Sequence, residues 1–290
     1  MREQAFFFLV LFAALTSIIF LSAIIISIFS EGAKIFQSYG ISDFVFGTSW
    51  HPDQNPAEYG ILTLIAGSVL VTLISLAIGL PLGVGTAVYI AELAGPRQRE
   101  ILKPAVELLA GIPSVIFGLF GMVFLGPWIA SLFGLPTILN AAVAGVMLGI
   151  MIVPIVTSIS EDAISSVPKS LREASLALGA NTWETITRVV VPSAKSGIIT
   201  AIVLGFGRSV GETMVVLMLA GNSAQFPKSL FSSVRPMTST IAAEMGEAPM
   251  GSTHVAALFG IGVVLFIITL FSNAITEYFR TRVRKTKIKI

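Results

Sequence analysis

From Leu108 to Ser160 the chain carries no Asp, Glu, Lys or Arg. A helix crosses a ~30 Å hydrocarbon core in about 20 residues, so this run is far too long for one crossing. Gly126-Pro127 and Gly134-Leu135-Pro136 punctuate it, which predicts two spans, over about 104–125 and 138–158. Of the 290 residues, 54% are hydrophobic and only 12% are charged, whereas soluble domains carry roughly 25% charged residues. The class is therefore an all-α polytopic membrane protein.

Four further apolar segments complete a set of six predicted spans, at about 5–30, 60–91, 197–220 and 254–279. The first is too long for the apolar region of a signal peptide and is read as a retained helix. The polar stretch from Glu31 to Tyr59 reads as a loop, with a short helix over 32–39. Pro81 and the Gly79/Gly83 pair fall inside the second span, where glycines four apart allow close helix packing. One domain over 1–290 is expected, with no second soluble domain and no simple repeat.

The charges orient the spans. The N-terminus, the 92–103 turn, a polar loop at about 161–195 and the C-terminus hold 14 of the 18 Lys and Arg. The positive-inside rule puts all of these in the cytoplasm. There is no cysteine, so neither disulfides nor thiolate metal sites are possible. No basic stripe interleaved with aromatics points to nucleic acid.

The polar loop is patterned. Pro168 suits a first helical turn, and Leu171, Ala174 and Leu178 fall on one face of the helix that follows. Gly179 is placed to end that helix in a left-handed conformation. Asn181 with Glu184 three residues on can cap a second short helix, which Pro192 bends or closes. A helix–Gly–helix elbow with an apolar stripe, held outside the bilayer, suits the grip of a partner.

One charged site falls inside a predicted span. Gly207, Arg208, Ser209, Val210, Gly211, Glu212 and Thr213 read GRSVGET, with Arg208 close to the middle of 197–220. A charge there costs at least about 2.5–3.5 kcal/mol, which makes it a functional candidate. Glu212, four residues on, can pair with it. A guanidinium donates parallel hydrogen bonds to a tetrahedral oxyanion and stays charged. A carboxylate beside it is useful only when the anion still carries a proton, as hydrogen phosphate does and sulfate does not. Ser209 and Thr213 add hydroxyls, so the candidate substrate pathway is Arg208, Glu212, Thr213 and Ser209.

The loop spacing Glu173-Ala174-Ser175, Gly179, Val189, Val191 and Pro192 resembles the E-A-A-x3-G loop of ABC importer permeases. With YGILTLIAGS, PLGVGTAVYIAEL, ELLAGIPSVIFGLFG, ISEDAISSVP and GRSVGET, the chain resembles the PstC family of phosphate-specific importers. The resemblance implies a type I (MetI-like) importer permease fold and a cell-membrane location, with the loop serving as the cytoplasmic coupling loop. It implies ATPase docking through Leu171, Arg172, Glu173, Ala174, Ser175, Leu178, Gly179 and Ala180. It further implies a PstA-like permease subunit, two PstB-like ATPase subunits, a PstS-like external phosphate-binding protein and membrane lipid as partners. No Gly-Lys dipeptide occurs, so the chain holds no P-loop; it is not expected to be an enzyme, it carries no cofactor of its own, and ATP and Mg belong to the partner ATPase. The alternatives are a permease for sulfate or molybdate and a free-standing anion channel or secondary transporter. A membrane enzyme would need more than His51 and His254, which are read as a loop residue and as lining the start of the last span. Arg235, Glu244 and Glu247 read as solvated loop charges, with contact to the external binding protein as the alternative.

Overall fold

The computed structural model describes residues 2–287, and side chains from Phe6 to Ala274. The expected basic end at 280–290 lies outside the described side chains, and 288–290 outside the described residues. Among the described residues six helical segments are long and apolar enough to cross a membrane: Phe6–Ser38, Leu62–Leu93, Ser114–Phe133, Ala141–Ser165, Thr182–Val210 and Thr253–Ala274. Two compact units are distinguishable, Met1–Leu62 with Ala243–Ile267, and Thr63–Ala242 with Ile268–Ile290.

In the first unit α1 (Arg2–Ser38) does not end at the first charge. Glu31 and Lys34 pair at 2.6 Å one turn apart, and the short helix expected over 32–39 is the continuous end of α1 rather than a separate piece. The short helix α2 (Ile41–Phe46) and a two-residue hairpin, β1 (Trp50–His51) against β2 (Glu58–Tyr59), follow. The unit closes on the start of α13 (Thr253–Lys287). There a Cβ on Gly32 would lie 2.7 Å from Val263, so α1 and α13 pack with almost no side chain between them. Glu244 is no solvated charge. It accepts from Trp50 Nε1 at 3.0 Å and sits 2.8 Å from His254 Nε2.

In the second unit, α7 (Ala141–Ser165) is the buried centre. Val143, Met147, Leu148 and Met151 join Val71 of α3 (Leu62–Val88) and Val215, Val216 and Leu219 of α11 (Met214–Leu219) in one core. A second core joins Ile164 to Ala87 and to Val190, Ala194 and Ile198 around α10 (Val191–Val210). Gly79 and Gly83 face Ile152 and Val156 so closely that a Cβ would fall within 2.4 and 2.7 Å of them. The close-contact role predicted for the pair is what the packing shows.

Several expected span boundaries move, two of them where a π-turn absorbs a proline. The segment 96–110 is a separate helix, α4 (Pro96–Ala110), cut from the next span at Pro113, whose backbone is extended. The span predicted at 104–125 therefore starts at Ser114. It runs through α5 (Ser114–Phe120), a π-turn at Gly121–Leu125 and α6 (Gly126–Phe133), and ends at left-handed Gly134 (φ 62°). The span predicted at 197–220 starts instead at α9 (Thr182–Thr185), passes a π-turn at Ile186–Val190 and continues in α10. In both π-turns the amide just before a proline reaches back five residues, Gly126 to Gly121 and Val191 to Ile186. The widened turn carries the helix past Pro127 and Pro192, which the sequence alone treats as stops. The fourth span runs past 158 to Ser165 and takes in Glu161.

Candidate functional site

The long helix that starts at Thr182 ends at Val210, two residues after Arg208. Gly211, Glu212 and Thr213 break it, and α11 resumes at Met214. Arg208 thus sits in a last turn beside a discontinuity, not in mid-helix as the sequence predicts. Its partner explains why the break is stable. Glu212 presents Oε1 to the amides of Met214 and Val215 at 3.0 and 3.3 Å. Those are orphan donors of a helix start, and a carboxylate there is favoured by capping and by the helix dipole. Oε2 of the same residue lies 3.4 Å from Arg208 Nη2.

The two members of the pair differ in exposure. The Glu212 side chain is 3% exposed and that of Arg208 is 44% exposed. Glu212 is fixed from several sides, since its carbonyl also accepts from Thr238 Oγ1 at 2.7 Å. Thr238 belongs to α12 (Met237–Glu244), whose first amide donates to Ser68 of α3 at 2.9 Å. Arg208 is held more loosely, by Glu212 and by Met151 Sδ at 3.9 Å. A contact of 3.4 Å is long for a charge-assisted bond, and a guanidinium has five N–H donors. The geometry is that of a cation with donor capacity to spare beside an anchored carboxylate.

Of the four predicted pathway residues, Arg208 and Glu212 are brought together. Ser209 accepts from the Glu212 amide at 3.4 Å with its carbonyl, while its buried hydroxyl bonds that of Ser75 on α3. Thr213 is half-buried and donates to the Gly211 carbonyl at 3.4 Å. Ser68, Thr72, Ser209, Glu212 and Thr238 line a small cavity behind the pair. The sequence carries no signal for Thr238, which arrives from a distant element.

The polar loop forms the elbow its pattern predicts. Helix α8 (Lys169–Ala177) follows Pro168, Gly179 is left-handed (φ 89°), and Asn181 and Glu184 cap α9 reciprocally. Ser175 and Thr185 share a hydrogen bond of 2.9 Å across the bend. Leu171, Ala174, Ser175, Leu178, Gly179 and Ala180 line an open groove of about 530 Å³, with the Leu178 side chain left 90% exposed. Glu173 is exposed as well.

Arg172 departs from the outward set. It turns inward to Glu92 and to the end of α7. Glu161, missed because it lies at the end of an apolar run, is 2% exposed and is clasped by Arg99 and Lys103 of α4 and by Ser165. Hydrogen bonds to Asp162 and then Glu161 hold the Lys103 ammonium above its ordinary pKa. Arg99 and Lys103 stand four apart on a helix, and that spacing was the available signal for a clasp.

A family model described as the binding-protein-dependent transport system inner membrane component matches residues 79–285, which include both the elbow and the Arg208–Glu212 pair. The chain belongs to that family. Among its relatives, the probable ABC transporter permease protein YqgH of Bacillus subtilis is 38% identical, the match covering 90% of this chain and 85% of that protein. The phosphate transport system permease protein PstC of Mesorhizobium japonicum is 36% identical over 93% of this chain and 88% of its own length. The PstC of Haemophilus influenzae is 35% identical, with 95% and 92% covered. In a crystal structure of a bacterial alginate ABC transporter, one chain superposes with a TM-score of 0.66 at 18% identity, covering 96% of each chain. A chain of the inward-facing MetNI methionine ABC transporter superposes with a TM-score of 0.57 at 20% identity, covering 77% of this chain and 94% of that one. At such identities these two establish the fold: this permease of the inner-membrane family has the architecture of ABC importer permeases.

Proposed function

We propose that the chain is the permease subunit of an ATP-driven importer of inorganic phosphate and forms half of the transmembrane route. The observation that carries the substrate is the pair at the helix break. Arg208, partly exposed and loosely held, can donate a fork of hydrogen bonds to a tetrahedral oxyanion. Glu212, anchored by α11, can accept a proton's hydrogen bond from hydrogen phosphate and repels an anion that has none. The relatives named as phosphate permeases support the same substrate.

The elbow is the ATPase dock, with Leu171, Glu173, Ala174, Ser175, Leu178, Gly179 and Ala180 at its surface. ATP and Mg are bound by two partner ATPase subunits. A second, PstA-like permease completes the pathway, and a PstS-like external protein delivers phosphate. Both termini and the elbow face the cytoplasm, as the Lys and Arg distribution requires. The Thr182–Val210 segment of 29 residues then joins dock to site, a lever of about 43 Å at 1.5 Å per residue. Closure of the ATPase pair moves the elbow, the lever tilts, and Arg208 at its tip shifts against Glu212, which stays with α11. Phosphate is thereby accepted on one side and released on the other.

ATP-driven uptake of labelled phosphate into vesicles holding the reconstituted complex tests this, with excess sulfate as competitor. Uptake that withstands sulfate and is lost in Arg208→Ala, in a complex that still assembles, is the expected result. Uptake abolished by sulfate overturns the substrate assignment.

A further inference from the structure

Arg172 stands inside the motif whose other members face outward, yet its side chain is 21% exposed and is spent within the chain. Nη2 and Nε meet Glu92 Oε1 and Oε2 at 2.7 and 3.3 Å, a two-pronged pairing. Nη2 also donates to the Ile164 carbonyl at 3.0 Å, and Nη1 donates to the Val167 carbonyl. Glu92 is 9% exposed and lies in the π-turn Tyr89–Leu93 that ends the α3 span. Ile164 and Val167 are at the end of α7, where carbonyls lack helical partners and attract a cation. One guanidinium therefore binds three elements at once: the end of α3, the end of α7 and the first helix of the elbow. Lysine could not do the same, because a point charge lacks the fork.

We propose that Glu92 and Arg172 form a joint through which movement of the elbow passes to α3 and α7, and that Arg172 is a positioning residue rather than an ATPase contact. This rests on the elbow being the ATPase dock. The lever from α9 runs into α10, which packs against α7, so its tip beside Arg208 can shift fully only if α7 shifts with it. Without the joint, the direct tie from α8 to α7 is the chain at Ser166–Pro168, a proline turn. The elbow would then follow the ATPase while the centre of the bundle lagged behind. Loss of the joint uncouples; it does not undock.

The test uses the whole reconstituted complex and reads ATP hydrolysis, phosphate uptake and ATPase co-purification together. Glu92→Ala is expected to retain the ATPase and its hydrolysis while phosphate moved per ATP falls about tenfold, the scale of a coupling energy between sites. Glu92→Asp is expected to restore most of that ratio. A second readout needs no phosphate. The chain has no cysteine, and a Cβ at Gly207 meets nothing within 4 Å, so Gly207→Cys gives a single thiol beside Arg208. Its labelling by a water-soluble maleimide is expected to change on trapping ATP, and to lose that change when Glu92→Ala is added.

An unchanged uptake ratio and an unchanged labelling response in Glu92→Ala overturn the joint. Loss of ATPase co-purification in Glu92→Ala or Arg172→Lys, with the permease pair still folded, also overturns it and returns Arg172 to the dock. A complex that moves no phosphate but still shows the labelling response defeats the phosphate assignment, and the labelling alone then judges the joint. No labelling response to ATP in the parent Gly207→Cys complex overturns the proposal outright.

Discussion

Glu212 touches Arg208 with one carboxylate oxygen, at 3.4 Å, and caps the amides of Met214 and Val215 with the other. The pair thus straddles a helix break, with the cation on the outgoing helix and the carboxylate bound to the incoming one. A buried ion pair by itself is weak evidence for stability; a carboxylate that also caps a helix has a reason to stay where it is.

This dual role separates two substitutions. Glu212→Ala removes the cap and leaves buried amides without a partner, at a cost of about 2–3 kcal/mol. Glu212→Gln keeps a carbonyl oxygen for those amides and removes only the charge, so it should unfold close to the parent temperature in detergent. Phosphate uptake should fall in both. Equal losses of stability in the two variants would show that the charge, not the cap, holds the break together.

The Ser209 hydroxyl already has a partner on α3. It bonds Ser75, which also donates to the Thr72 carbonyl at 2.9 Å. Ser209→Ala should cost about 1 kcal/mol of stability and leave uptake near the parent rate. Arg208→Ala should lower uptake by about one to two orders of magnitude, the scale of its charge-assisted hydrogen bonds. Parallel uptake assays settle the matter: a collapse in Ser209→Ala with normal assembly would put that hydroxyl back on the route.

The glycines of α3 are not equivalent. A Cβ on Gly79 would fall 2.4 Å from Ile152 and 2.7 Å from the Gly149 carbonyl, and backbone cannot step aside. Gly79→Ala should therefore cost about 1–3 kcal/mol through overpacking. Gly85 has nothing within 4 Å of its would-be Cβ, and Gly85→Ala should be neutral or mildly stabilising because alanine favours helix. Size-exclusion profiles after graded heating would rank the two, and the reverse ranking would refute the α3–α7 contact.

Much of this was legible because membrane chains write their periodicity in large letters. Six spans, the elbow with Gly179 and the Asn181–Glu184 cap, and the Arg208–Glu212 spacing all follow from local pattern. Boundaries were misplaced where a π-turn absorbs a proline, at Pro127 and Pro192. Local rules treat proline as a stop and do not see the widened turn before it. The site was incompletely legible for another reason. Whether Ser209 faces Arg208 or Ser75, and whether Arg172 faces outward or Glu92, depends on partners far along the chain.

The last prediction concerns the elbow's outer face. Leu178 is 90% exposed beside the left-handed Gly179, so its side chain contributes almost nothing to the fold of this chain. If the groove it borders receives an ATPase, burying that leucine is worth about 1.5–3 kcal/mol. Leu178→Ala should then weaken binding of the purified ATPase subunit to nanodisc-embedded permease roughly tenfold or more by that same energy, and Leu178→Glu should weaken it further. Thermal unfolding of the permease should not change in either variant. Asn181→Ala should weaken binding by another route, loosening the elbow by the ~1 kcal/mol of a lost cap, and with it the order of α9. Leucine variants that bind ATPase like the parent would remove this face from the dock, whatever they do to stability.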